Sequence, residues 1–313
     1  MSKNSVKTAT LVKKPRKPGS LISKIRRDTG AWILLIPALF CIYFFMLRPQ
    51  VMGVYWSFFD MKGFEPQEFV GFENYRRVLA RTDFIATAWN TLKYVGYSLL
   101  IGFPLPFFIA LVMNELIHYR KLTRMLVYLP GIIPVVATSM LWVFVYNPSA
   151  SGLLNTLLGK IGMEPYEWLQ DSKLTILWII VSMTWSGAGG TSLYYFAAMQ
   201  GINRELYEAA VIDGAGYFRR VKIVTLPYLY GMLILFGVKQ IIGVFNTMEQ
   251  VLQMTDGGPN NASMTLGVLN YRYAFKDAKP QFALALGVLM FIVLTIFAVI
   301  YFKLNKKIEE NQL

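Results

Sequence analysis

The 313-residue sequence holds one cysteine, Cys41, and one histidine, His118. A disulfide framework and a cysteine-histidine zinc site are therefore excluded, so no metal site is expected. No Ser or Cys motif stands beside His118, which reads as a solvated loop residue rather than a catalytic base. There is also no G-x-x-x-x-G-K-[ST]. Gly159-Lys160 is followed by Ile161, so this chain does not itself cradle ATP phosphates. Charge is sparse, with charged residues at 16% against about a quarter in soluble domains. Asp and Glu number 18 against 31 Lys and Arg, leaving a net charge of +13. What fills the chain instead is apolar: 55% of residues are hydrophobic, gathered in runs long enough to cross a bilayer.

Six spans are readable, at about 31–47, 92–113, 126–146, 174–199, 226–246 and 282–302. Each lies near the ~20 residues a transmembrane helix needs. The first contains Pro37, and a further apolar stretch at 51–59 extends it. Before it, residues 1–29 are polar and basic and read as a disordered cytoplasmic tail, with Leu21, Ile22 and Ile25 beside Lys24, Arg26 and Arg27 as an interfacial turn on anionic lipid. The first run ends in Leu47-Arg48-Pro49-Gln50 with no small-residue cleavage site, which favours an uncleaved span. The expected organisation is an all-α membrane protein: the tail 1–29, a six-helix domain at 30–305 and a cytoplasmic tail at 306–313.

Orientation follows from the basic residues. With the N-terminus inside, 19 of the 31 Lys and Arg fall in inner segments and 11 in outer ones. This places both termini and the loop 201–226 in the cytoplasm, and the long segments 48–91, 147–173 and 247–281 outside. The positive charge is then membrane topology rather than a nucleic-acid footprint.

The inner loop is built like structure. Asn203 suits the N-cap of a short helix whose first turn carries Glu205. That helix passes through Glu208, Ala209 and Ala210 and stops at Asp213-Gly214, because Gly takes the left-handed conformation without penalty. A second short helix is predicted at about 217–223, with Pro227 in the first turn of the next span.

Residues 208–227 carry Glu208-Ala209-Ala210, three residues, Gly214, nine residues, then Val224, any residue, and Leu226-Pro227. This resembles the cytoplasmic signature of ABC-importer permeases, with Val224 where Ile is usual. Asp213 and Ala215 complete the Asp-Gly-Ala of the carbohydrate-uptake branch. Gly257-Gly258-Pro259 followed by Thr265-Leu266 is similar to an outer loop of the same permeases that faces the solute-binding protein. The resemblance covers about 31–305 and is strongest to the branch that takes up complex oligosaccharides, such as pectin fragments, in Gram-positive bacteria. It implies a type I importer permease fold in the plasma membrane and a chain that is not an enzyme and binds no cofactor. The implied partners are a second, different permease, two copies of a cytosolic ATPase holding ATP and Mg, and a binding protein, lipid-anchored or periplasmic, that delivers an oligosaccharide. Another solute such as glycerol phosphate is a rival within the family. An ion-driven secondary transporter fits less well, since the middles of the spans carry essentially no Asp or Glu.

Two spans carry candidates for the sugar path. Span four has Trp185, Ser186, Thr191, Tyr194 and Tyr195 around Gly187-Ala188-Gly189-Gly190. Close helix packing is the plainer reading of the glycines, and interfacial anchoring that of the aromatics. Span five carries Lys239 about twelve residues above Pro227, ~18 Å at the helical rise and so near mid-membrane. Gln240 is adjacent, and Asn246 and Glu249 follow. A mid-span charge faces a cavity or a partner. Lys239 therefore either lines the path, favouring an acidic sugar such as a uronate, or pairs with the other permease.

Overall fold

The computed structural model describes residues 29–116 and 120–312. His118 and the basic tail with its interfacial turn lie outside them. The chain divides into two compact units, Met1–Gly53 and Val54–Leu313.

Five helices are long and apolar enough to cross a membrane: Trp32–Trp56, Thr82–Glu115, Thr175–Met199, Tyr217–Phe245 and Pro280–Lys303. A sixth candidate is a pair, Lys121–Ile132 and Val135–Val145, bent by 96°. The single straight span expected at 126–146 is thus corrected to a broken one. Pro134 explains the break, since a proline disfavours the helical region for the residue before it, here Ile133. Span one reaches Trp56 rather than ending at 47, and span two begins ten residues earlier than the apolar run suggested. The last helix runs from Pro280 to Gln312.

Three of these helices pass through a proline without ending. In each, a π-helical turn stops two residues before it: Ile42–Leu47 before Pro49, Ser98–Gly102 before Pro104, and Val221–Thr225 before Pro227. The bonds that close these turns run five residues back, from Arg48 N to Tyr43 O, Phe103 N to Ser98 O and Leu226 N to Val221 O. A proline lacks the N–H of the regular ladder, and its ring crowds the carbonyl four residues before it. Widening the preceding turn relieves both at the cost of one unpaired group.

Span two, the bent pair, span four and span five pack together with the short helix Glu249–Met254 around clusters such as Phe107, Tyr195, Phe196, Met199 and Leu229. Between helices in lipid, apolar burial drives little, and small residues that let backbones approach matter more. Gly189 is the tightest case: a Cβ there would lie 2.0 Å from the Val127 carbonyl oxygen. Gly131 meets the same crossing from the other side, its Cβ position 3.1 Å from the Ser186 carbonyl. Packing is therefore the structural reason for Gly189, while a Cβ on Gly187 or Gly190 would meet nothing within 4 Å. The segment 48–91, anticipated only as an outer loop, folds into an antiparallel hairpin of Phe59–Lys62 and Glu65–Phe69, then helix Glu73–Leu79.

A Gly189→Ala substitution is expected to separate the crossing helices, an overpacking cost of about 1–3 kcal/mol. Thermal unfolding of the purified protein in detergent should shift down for it and not for Gly190→Ala. Equal melting of the two would refute the close crossing.

Candidate functional site

The signature loop forms as its residues dictate. The Asn203 side chain accepts from Glu205 N at 3.1 Å and caps helix Arg204–Ile212. The helix closes with Gly214 at φ +73, Gly214 N donating to Val211 O and Ala215 N to Ala210 O. This is a Schellman closure. A Cβ on Gly214 would touch nothing, so the need for glycine is in the backbone. The second helix is a correction to the sequence reading. Tyr217–Arg220 is not separate but runs through the π turn into span five, because Pro227 is absorbed rather than used as a start.

Ala210 and Ala215 are buried inside the knob, whereas Ile212 is 86% and Phe218 84% exposed. Leu206 and Val211 are exposed beside them. Ala209, Asp213 and Pro227 are exposed, and Val224 and Leu226 pack onto the apolar cluster below. Glu208 is exposed and has no hydrogen bond or ion pair among the described residues. The knob thus offers a partner apolar side chains and the carboxylates of Glu208 and Asp213.

Above it, a cavity of about 500 Å³ lies among spans two, four and five and the bent pair. Its edges are the places where helices are interrupted: Ser98 and Gly102 from the π turn, and Pro130, Gly131, Ile133 and Val135 from the bend. Lys239 and Gln240 line it, with Thr138, Thr184, Ser186, Thr191 and Gln250, and with Phe103 and Phe236 as ring surfaces. Among the described residues Lys239 is the one charged side chain on this wall. Its ammonium lies 5.7 Å from the Phe236 ring centroid and meets no carboxylate among the described residues. Gln240 is seated where Gly102 leaves room: a Cβ on Gly102 would stand 2.9 Å from Gln240 Nε2 and 3.1 Å from Thr184 Oγ1.

Of the other candidates, Trp185, Tyr194, Tyr195 and Asn246 are not on the cavity wall. Trp185 lies edge-on to Trp142, with ring centroids 5.7 Å apart. Tyr194 is exposed and leans on Phe236. Tyr195 is fully buried between Phe107 and Phe236, so packing accounts for it. Asn246 ends span five, its Nδ2 donating to Ile242 O. Gln250, Thr184 and Thr138 reach the cavity without having been singled out. Gln250 sits on a short helix beyond the span, and two lone threonines in apolar helices carry no periodic signal.

At the opposite end, the loop with Gly257-Gly258-Pro259 is anchored rather than free. Asn90 Nδ2 donates to Asn261 O at 2.8 Å, Tyr94 OH to Ser263 O at 3.1 Å, and Leu266 N to Thr91 Oγ1 at 3.0 Å. Gly257 is buried at φ +83. Gly258 and Pro259 are half-buried on the rim of a second depression of about 290 Å³, with Tyr146, Pro148 and Gln170. The residues this turn presents outward are Asn260 and Asn261. Beside it, the Lys276 ammonium bonds to Asp256 and, with Arg272 nearby, holds its carboxyl below the usual range. That pair contributes above the ordinary Asp range and is lost as pH falls through the depressed value.

Gly102→Ala is expected to push the Gln240 amide, a flexible side chain, out of its seat while the helices stay packed. Transport measured at limiting substrate should fall and the yield of folded protein should hold. Unchanged transport would show that the seat of Gln240 is immaterial.

The matches to known proteins fall on the same features. Residues 102–310 match the family described as binding-protein-dependent transport system inner membrane component. The chain is 29% identical over 285 residues to the trehalose/maltose transport system permease protein MalF of Thermococcus litoralis, across 90% of this chain and 96% of that relative. It is 26% identical to the arabinooligosaccharides transport system permease protein AraP of Bacillus subtilis, across 89% of each. Among solved structures, a chain of a bacterial ABC transporter involved in the import of the acidic polysaccharide alginate superposes with a TM-score of 0.83 at 27% identity, covering 93% of this chain and 99% of that one. The fold is that of a type I ABC importer permease. The family match takes in the cavity, the signature loop and the last span, and the chain belongs to the binding-protein-dependent transport system inner membrane components, as a sugar ABC transporter permease.

Proposed function

We propose that this chain is one of two different permeases of an ATP-driven importer, and that its cargo is an oligosaccharide bearing carboxylates. The observation that carries the substrate class is Lys239, a lone cation on a wall otherwise made of amides, hydroxyls and ring faces. Such a wall suits a sugar: amides and hydroxyls bond its OH groups, and rings cover its apolar faces. A cation at this depth is expensive without an anion to meet it. The relatives named above carry trehalose and maltose or arabino-oligosaccharides, and the structural neighbour an acidic polysaccharide. Fragments rich in uronate, from pectin or a similar polymer, combine the two properties.

The distribution of Lys and Arg puts the signature loop and both termini in the cytoplasm. There the exposed Ile212 and Phe218 fill a groove on one of two ATPase copies, and Glu208 supplies a charge for a basic partner. ATP and Mg belong to that ATPase. When its pair closes on ATP, the knob moves with it and the spans rock from inward-open to outward-open. A solute-binding protein, lipid-anchored in a bacterium with one membrane, docks at the outer face near Asn260 and Asn261 and releases sugar into the cavity. Hydrolysis resets the cycle.

A charge-assisted hydrogen bond contributes roughly 1.5–3 kcal/mol. Lys239→Gln is accordingly expected to lower uptake of a uronate oligosaccharide by about tenfold or more and to leave a neutral oligosaccharide of the same length unaffected. Competition by glycerol phosphate, the smaller anionic rival, should be weak in the wild type. An equal loss for acidic and neutral sugars would remove charge selectivity and assign Lys239 to an ion pair with the second permease.

A further inference from the structure

The first helix of the signature loop carries much of the exposed apolar surface, yet its covalent route to span five is indirect. It turns at Gly214, where nothing packs on the α-carbon, and continues through the π turn Val221–Thr225. A helix moved by a partner would flex at both places before it moved the span. One polar contact bypasses them. Tyr207, on helix Arg204–Ile212, places its hydroxyl 2.8 Å from Thr225 Oγ1, where the π turn meets the regular helix of span five. Thr225 is 2% exposed, and the Tyr207 ring packs against the apolar cluster that joins spans two, four and five. Among the described residues this is the one side-chain hydrogen bond from the first helix to a span.

Toward span two a gap opens beside this pair. A cavity of about 140 Å³ stands between Leu111 and Glu115 on one side and Tyr217 and Arg220 on the other. Arg220 Nε is buried there without a hydrogen-bond partner, and no ion pair among the described residues joins Arg220 to Glu115. The loop is bonded to span five and has a gap beside span two, whose Leu111 shares an apolar cluster with Tyr207.

We propose that Tyr207 is a positioning residue for the transport cycle: its hydroxyl pair with Thr225 passes the loop's displacement into span five. This rests on the reading that the loop docks on a separate ATPase. The test uses the complete transporter, with second permease, ATPase and sugar-loaded binding protein, in proteoliposomes, with hydrolysis and sugar uptake measured together. Tyr207→Phe keeps the ring and its packing and removes only the hydroxyl. It is expected to assemble and to hydrolyse ATP in response to loaded binding protein, while sugar moved per ATP falls about fivefold, the size of one lost hydrogen bond. Thr225→Val should do the same, the double variant no worse than either, and Thr225→Ser should retain the wild-type ratio. A wild-type ratio in Tyr207→Phe, or additive losses in the double variant, would overturn the proposal. A wild-type complex without stimulated hydrolysis would instead overturn the docking on which the hydroxyl pair depends, and the proposal with it.

Discussion

No water inside a bilayer satisfies a freed backbone amide, so every interruption of a helix there must be made good by neighbouring protein. Much of this structure follows from that constraint. The chain places prolines at 37, 49, 104, 106, 130, 134 and 227 within or beside its spans. At three of them the ladder widens into a π turn and the helix continues; at Pro134 it breaks and bends by 96°. The break is tolerated because Gly131 and Gly189 let the bent pair press directly against span four. The cavity lies where these interruptions meet, bordered by the π turn at Ser98–Gly102 and by the bend itself. A bundle of unbroken helices would have packed this space shut.

The same economy of interruption shapes the loop on the other side. The signature residues divide into two jobs that the sequence alone does not separate. Ala210, Ala215 and Gly214 let the short helix Arg204–Ile212 turn tightly into the helix that begins at Tyr217, and Ile212, Phe218 and Glu208 are what that turn leaves outside. Ala210 and Ala215 are thus structural, while Ala209 lies exposed with the residues between them. The distance from loop to cavity is spanned by helix five, which carries Thr225 at one end and Lys239 and Gln240 further along.

Much of this was legible in the sequence where a local rule decides. Asn203 with Glu205 announces a cap, and Asp213-Gly214 a stop, because each satisfies backbone groups within a few residues. Five of the six spans were legible because twenty apolar residues have little else to be. Two of the misreadings share a cause. Prolines at 49 and 227 look like boundaries, but the π turns that absorb them leave no residue signature. Lys239 stands out in an apolar run and does line the cavity, whereas Tyr195 looks equally suited and is packed between Phe107 and Phe236. A charge in lipid has few places to go; an aromatic ring has many. The anchoring of the Gly257-Gly258-Pro259 loop to Asn90, Thr91 and Tyr94 links positions some 170 residues apart, beyond the reach of any local pattern.

The most direct test of a coupled importer is ATP hydrolysis by the reconstituted complex of this chain, its second permease and the ATPase, with and without binding protein loaded with an acidic oligosaccharide. Loaded binding protein should stimulate hydrolysis several-fold in the wild type. A Glu208→Ala or Gly214→Pro chain should abolish the stimulation while the ATPase keeps its own basal rate. Sugar movement by this chain without ATP, or stimulation that survives loss of the signature residues, would contradict the coupling.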